Sequence, residues 1–343
     1  MKKKFLSAFL FLSCTMAFAQ ENTTEQKTVE QKTVETNETE PKTEVKFSGK
    51  PIVTIYANYS AGLGHANKES GFNLERSYLG YEFKFLKNLG GKVVFDVGPT
   101  KVAGSDLERV AYIKNAMLSW NPGKFTLNAG LIGLEQFDIQ EKFWGQRYIW
   151  KSFQDEYKFN SSADMGVIAK YQFNSWLSGD VTFINGEGYK KINKDNNNRY
   201  GAGITIIPTG SLIFRAYFDR YDADGENAKA QQSLALFAGY RHSLFNIGIE
   251  YNKLWNSEFV NKQDKTGYSI YSTVFLNKKF SVFGRYDDLS SRNNYFKGDE
   301  RRAIVGFQYE PIRYIRISPN FQTVNPTNGR ASSFICLNLE VKI

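Results

Sequence analysis

The residues best suited to chemistry lie in and around one stretch. Leu134 to Asp164 reads LEQFDIQEKFWGQRYIWKSFQDEYKFNSSAD, in which Lys142, Arg147 and Lys151 stand among Glu135, Asp138, Glu141, Asp155 and Glu156. Elsewhere Arg76, Lys84, Lys170, Arg215, Arg285 and Arg316 recur on the polar side of short alternating runs. These groups are not arranged to break bonds. No Ser/His/acid set is visible, and the two histidines, His65 and His242, fall in connecting segments. His and Cys are not clustered for zinc, and Asp222-Ala-Asp224-Gly-Glu226 departs from EF-hand spacing, so neither a metal nor a cofactor is expected. The chemistry open to them is selection. A guanidinium presents a planar fork that fits carboxylate or phosphate oxygens, and bases around a narrow aqueous passage favour anions. The alternative for each base is an ion pair that stiffens its surroundings, such as Arg215 with Asp180 or Arg285 with Asp287.

Such side chains need elements that hold them toward water in a confined space. From Lys50 onward the chain has a period of two, the mark of strands with one apolar face. In the last run Ile335, Leu337, Leu339, Val341 and Ile343 fall on one side, and Cys336, Asn338, Glu340 and Lys342 on the other. Runs around Arg76, Asp164, Arg215, Glu250, Arg285 and Arg316 repeat the pattern. Ile168, Ile213 and Phe283 break it by placing apolar groups on polar faces, while Val110–Trp120 and Tyr268–Leu276 do not resolve into two faces. Short turns (Asn121-Pro122-Gly123, Phe173-Asn174-Ser175, Pro208-Thr209-Gly210, His242-Ser243, Asn277-Lys278-Lys279, with a bend at Glu310-Pro311) alternate with longer polar connections. About sixteen strands are expected, closing into an all-β transmembrane antiparallel barrel wide enough to leave an aqueous bore. Tyr56, Tyr59, Trp120, Tyr171, Trp176, Tyr200, Tyr251, Trp255, Tyr286 and Tyr309 lie near strand ends and suit aromatic girdles. The long stretch 134–162 is then the third external connection, read as a loop folded into the bore; the alternative is a loop packed over the rim.

Composition agrees with this architecture. Aromatics reach 15% with only 8 prolines, and the apolar fraction of 41% suits apolar residues on alternate positions. Residues 1–19 read as a secretory signal peptide: Lys2-Lys3-Lys4, a short apolar run, then Ala17-Phe18-Ala19. Residues 20–47 hold 7 Glu and 4 Lys with almost no large apolar group, and are expected to form a disordered acidic periplasmic leader. Residues 48–343, the barrel, keep a net charge of +9, which draws anions, whether solutes or lipopolysaccharide. Nothing points to nucleic acid. Cleavage after Ala19 leaves Cys336 as the single cysteine, so no internal disulfide is expected.

Four stretches carry a family resemblance: FNLERSYLG at 72–80, YIKNAMLSW at 112–120, LNAGLIG at 127–133 and EKFWGQRYI at 141–149. In their order and spacing the segment from Phe72 to Asn185 resembles the phosphate-selective porin O and P family, in a Bacteroidetes-like form; beyond it the likeness is architectural. The resemblance implies sixteen strands, a homotrimer, a third loop folded into the pore, and anion preference conferred by bases near the constriction. The loop here departs from that pattern, with at least as many acids as bases. A mixed constriction formed by Lys142, Arg147, Lys151, Glu141, Asp155 and Glu156, with weak anion preference, is therefore expected rather than a strict phosphate site. Three functions remain open: passive diffusion of small hydrophilic or anionic solutes through an outer-membrane porin, a structural or adhesive barrel with a closed bore, and a soluble periplasmic β protein.

Overall fold

Alternation of this kind has a definite structural outcome. A computed structural model of the chain describes residues 47–99, 109–191 and 196–343. The expected signal peptide, and the leader apart from Phe47, lie outside the described residues. Sixteen strands follow one another: β1 (Ser48–Leu63), β2 (Ser70–Leu86), β3 (Leu89–Pro99), β4 (Arg109–Trp120), β5 (Phe125–Gly133), β6 (Ala163–Gln172), β7 (Leu177–Ile184) and β8 (Arg199–Thr209). They continue with β9 (Leu212–Tyr221), β10 (Gln231–Arg241), β11 (Phe245–Trp255), β12 (Lys265–Phe275), β13 (Phe280–Ser291), β14 (Glu300–Ile312), β15 (Ile315–Pro326) and β16 (Ser332–Lys342). Each pairs antiparallel with its neighbours in sequence, and β16 returns to β1, from Lys342 opposite Thr54 to Ser333 opposite Leu63. The barrel is closed, as the alternation and the even strand count require.

Burial shows which side faces what. On β16, Ile335 and Leu337 are 55% and 50% exposed, whereas Asn338 and Glu340 are 1% and 4% exposed. The same inversion runs around the barrel. Leu79, Phe95, Ile113, Val181, Phe214, Ile249, Ile270 and Val305 are exposed, while Asp96, Asp180, Arg215, Glu250 and Asp287 are buried. A water-soluble protein buries the first set and exposes the second. A continuous apolar exterior around a polar interior needs lipid outside, which excludes the soluble reading.

Two runs without a clear period have a local cause. In β4 the register against β3 slips by one, because Val94 faces Asn115 while Phe95 faces Ile113. Lys114 is the extra residue, and a bulge there exchanges the faces of the two halves of the strand. The β12 run alternates cleanly, with Ser269, Tyr271 and Thr273 inward; its large inward tyrosine hid the pattern. The bend expected at Glu310-Pro311 is displaced. Strand β14 runs on to Ile312 with an irregular register between Tyr309 and Ile312, and the chain turns at Arg313-Tyr314. Pro311 has no N–H to give the ladder and so interrupts the pairing without ending the strand. Of the expected girdle residues, Tyr59, Trp120, Tyr171, Trp176, Tyr200 and Tyr286 are exposed. Tyr56 instead points inward, 6% exposed, with its ring edge-on to Tyr78 at 6.0 Å.

Candidate functional site

The segment between β5 and β6 is not structureless. It holds two short helices, α1 (Asp138–Trp144) and α2 (Phe153–Glu156). Gly145, at φ 78°, ends α1 in the left-handed conformation that glycine adopts without penalty, its N–H donating to Glu141 O at 3.0 Å. Apolar residues of the segment lie against the inner faces of the strands. Phe143, Trp144, Tyr148 and Ile149 cluster with Tyr56, Phe237, Tyr271, Phe283 and Ile304, while Phe153, Tyr157 and Phe159 cluster with Leu254 and Leu289. The strands make room for them. A Cβ at Gly239 would stand 2.6 Å from the Phe143 ring, and one at Gly267 within 2 Å of the Phe153 ring. The three residues that broke the alternation belong to this seat. Ile168 packs with Leu134, Ile132 and Ile184 where the segment leaves β5, Phe283 packs edge-on to Trp144 at 5.8 Å, and Ile213 borders the larger cluster.

The charged residues of the segment are largely neutralised by one another. Lys142 Nζ lies 2.6 Å from Asp138 Oδ2, one helical turn away. Arg147 reaches both Glu141 at 3.1 Å and Asp155 at 3.3 Å, and Lys151 pairs with Glu156 at 3.2 Å. Burial opposes the charge on Arg147, but Glu141 and then neighbouring Tyr78 and Asp155 outweigh it and raise its pKa further, so it stays cationic. Glu135 takes Lys170 from β6 at 2.8 Å.

The arginines expected to line the bore divide into two groups. Arg76 and Arg316 keep part of their surface, pairing with Asp96 at 2.7 Å and with Glu310 and Glu340 at 3.2 and 3.1 Å. Arg215 and Arg285 do not present their guanidinium groups to open space: their side chains are 1% and 0% exposed. Arg215 forks onto Asp180 at 2.7 and 3.0 Å, and Arg285 onto Asp287 at 2.9 and 2.9 Å. These are the pairs weighed above as the alternative. Lys84 is exposed near the short-turn end.

Among the described residues, cavities lie at both ends of the barrel, most of them bordered by the segment. At the long-loop end one of about 470 Å³ is lined by Arg76, Lys114, Arg147, Lys158, Lys190 and Lys191, among others, against Asp155 and Glu187. A second of about 340 Å³, beside Tyr56 and Cys336, shares Arg76 and Arg147 with it. At the short-turn end a cavity of about 680 Å³ carries Lys142, Arg241, Lys278, Lys279 and Arg316 against Glu310 alone. Another of about 430 Å³ carries Lys84, Lys87, Lys92 and Lys170 against Glu82. Each end is therefore basic. Among the described residues, Lys92, Lys114, Lys190, Lys278 and Lys279 form no ion pair, nor does Lys158 at the end of the segment, in contrast to Lys142, Arg147 and Lys151.

Sequence reasoning missed three of these lysines. Lys92 stands opposite Glu82 of β2, which pairs with Lys50 at 3.5 Å, and within electrostatic range of Lys114 on the wall and of Asp138 and Lys142 on α1. Lys114, the bulged residue of β4, lies 3.2 Å from Tyr78 Oη and over that ring at 4.4 Å. Lys190, from the connection after β7, sits 4.2 Å above the Tyr112 ring. Beside it Tyr189 donates its hydroxyl to Asp96, and its backbone N–H to Ala163 O at 3.0 Å, which fixes that connection against β3 and β6. The available signal was the basic charge of YIKN and GYKK; what was lacking was the face on which each lysine would fall.

Solved structures share this architecture at low sequence identity. The outer membrane channel DcaP of Acinetobacter baumannii superposes with a TM-score of 0.63 at 11% identity, covering 87% of this chain and 97% of its own. The anion-selective porin from Comamonas acidovorans gives 0.64 at 9%, over 87% and 100%. OmpT of Vibrio cholerae, in its in-vitro folded trimer form, gives 0.60 at 14%, over 87% and 99%. No family model matches the chain, and no curated protein matches it in sequence. The fold is that of Gram-negative outer-membrane porins.

Proposed function

We propose that this chain is an outer-membrane porin that lets small hydrophilic solutes diffuse passively, with a weak preference for anions. One observation carries the reading: the inner segment is nearly self-neutralised, while the cavities on both sides of it hold lysines without carboxylate partners. A solute approaching from either end meets net positive charge, and unpaired ammonium groups act on it more strongly than paired ones. In this reading the segment 134–162 narrows the passage. The constriction lies between Asp138, Glu141, Lys142 and Arg147 on the segment and Lys92 and Lys114 on the wall, with Lys151, Asp155, Glu156 and Arg76 at its outer margin. The mixture of signs argues for a weak filter rather than a strict phosphate site, even granting the resemblance to the phosphate-selective porins. The trimer form of the Vibrio cholerae structure supports a homotrimer in lipid and lipopolysaccharide.

The test is reversal potential under a salt gradient in planar bilayers. The native protein is expected to pass chloride more readily than potassium. Lys92→Gln with Lys114→Gln should lower the anion-to-cation permeability ratio severalfold, because neither ammonium is ion-paired and both border the proposed constriction. An unchanged ratio would remove the assignment.

A further inference from the structure

Arginines on the inner wall of a channel invite reading as solute ligands. Their second set of bonds says otherwise. Arg215 Nη2 donates to Glu135 O at 2.9 Å, Arg285 Nη1 to Lys151 O at 2.8 Å, Arg316 Nη1 to Gly145 O at 3.3 Å, and Arg199 Nη2 to Phe159 O at 3.0 Å. All four acceptors are main-chain carbonyls of the segment between β5 and β6. The donors come from β9, β13, β15 and β8 in turn. Each arginine is also held from behind by a wall carboxylate: Arg199 by Asp219 at 2.7 Å, and the others by Asp180, Asp287, and Glu310 with Glu340. The same device thus recurs four times: a carboxylate on the wall fixes the plane of a guanidinium, and the guanidinium caps a carbonyl that no helix satisfies.

The arrangement suits arginine's chemistry. A guanidinium has donors along several edges in one plane, so it can fork onto a carboxylate and still reach a carbonyl. A lysine ammonium is a compact point charge and lacks that fixed divergence. The carbonyls lie where α1 ends, where the chain turns toward α2 and where the segment enters and leaves, so four bonds hold it over its whole length.

We propose that Arg199, Arg215, Arg285 and Arg316 are positioning residues that clamp the inner segment to the wall, and that they set the steadiness of the open passage rather than its choice of ion. This rests on the porin reading for its functional consequence, though the clamp itself does not. The experiment exchanges arginine for lysine, which conserves charge and removes the fork. Arg285→Lys and, at the more exposed site, Arg316→Lys are expected to keep the native permeability ratio while closures become several times more frequent and set in at lower voltage. Hydrogen exchange across 135–160 should quicken at the same time.

Rescue separates a clamp from general damage. Gln146 Nε2 lies 3.2 Å from Thr273 Oγ1, a gap a glutamine side chain spans, so Gln146→Cys with Thr273→Cys, in a Cys336→Ser background and bridged by a short bis-methanethiosulfonate, offers a reducible covalent tether in place of the lost bonds. Cross-linking should quiet the lysine variants and reduction should restore their noise. Native gating and native exchange in both lysine variants would overturn the clamp, as would noise that the tether does not quiet. If the native protein conducts nothing, the porin reading falls, and the exchange of 135–160 still decides the clamp.

Discussion

At the scale of single residues, the proposed function gives the free lysines and the buried arginines different work. In that reading free charge acts on solutes, whereas charge committed to a carboxylate and a carbonyl acts on the protein. Lys190 gives this a pH dependence. Burial, and then the nearby Arg76 guanidinium, hold its pKa below the ordinary lysine value of 10.5. Its charge is complete in the neutral range and is lost as pH rises, earlier than that of a solvent-exposed lysine. The anion-to-cation permeability ratio should therefore begin to fall below pH 10.5, and Lys190→Gln should remove the early part of that fall; a titration of reversal potential checks both. Residue identity alone could not sort these roles. An arginine that would fit phosphate and one that caps a carbonyl look the same in a sequence, because both uses draw on the same planar donors. Arg215 and Arg285 read equally well as solute ligands and as ion-pair partners until the positions of Asp180, Asp287, Glu135 and Lys151 were known.

At the scale of elements, the strands were largely legible and the seat of the inner segment was written in their exceptions. Lipid outside and water inside force each strand into two faces, so β2 and β16 could be read residue by residue, and β9 and β13 but for Ile213 and Phe283. Strand β4 could not, because one inserted lysine exchanges its faces midway. Lys92 was missed because Val93, Val94 and Phe95 form an unbroken apolar run that hides the period of β3. Ile168, Ile213 and Phe283 looked like errors in the pattern, and they mark where the segment rests. Its two short helices left no signal beyond the turn at Gly145, since seven and four residues are too few to show a period. Gly267 is the sharpest test of the seat. The Phe153 ring is fully buried and cannot swing aside, so Gly267→Val should displace α2. The expected result is a barrel that still folds, with altered single-channel conductance and faster proteolysis within 134–162.

At the scale of the whole molecule, the question is whether the bore is open. The aromatic clusters bind the inner segment to β10–β14 and to Tyr56 of β1, and leave the side of β2–β6 with charged cavities at either end. That asymmetry favours an open path beside the segment. Liposome swelling checks it: vesicles bearing the protein should swell in small sugars and sugar acids, more quickly with the acids. No swelling beyond that of empty vesicles would instead mark a structural barrel with a closed bore.

The pairing of β16 with β1 also bears on how the molecule forms. The two strands sit at opposite ends of the chain, so the last seam cannot be stitched until nearly everything between has been laid down. Until then two raw borders stand open to any stray strand, and inside a membrane that exposure is costly. Biogenesis must therefore keep both margins guarded to the end, and a chain cut short before residue 332 would be left with nothing to meet its first strand.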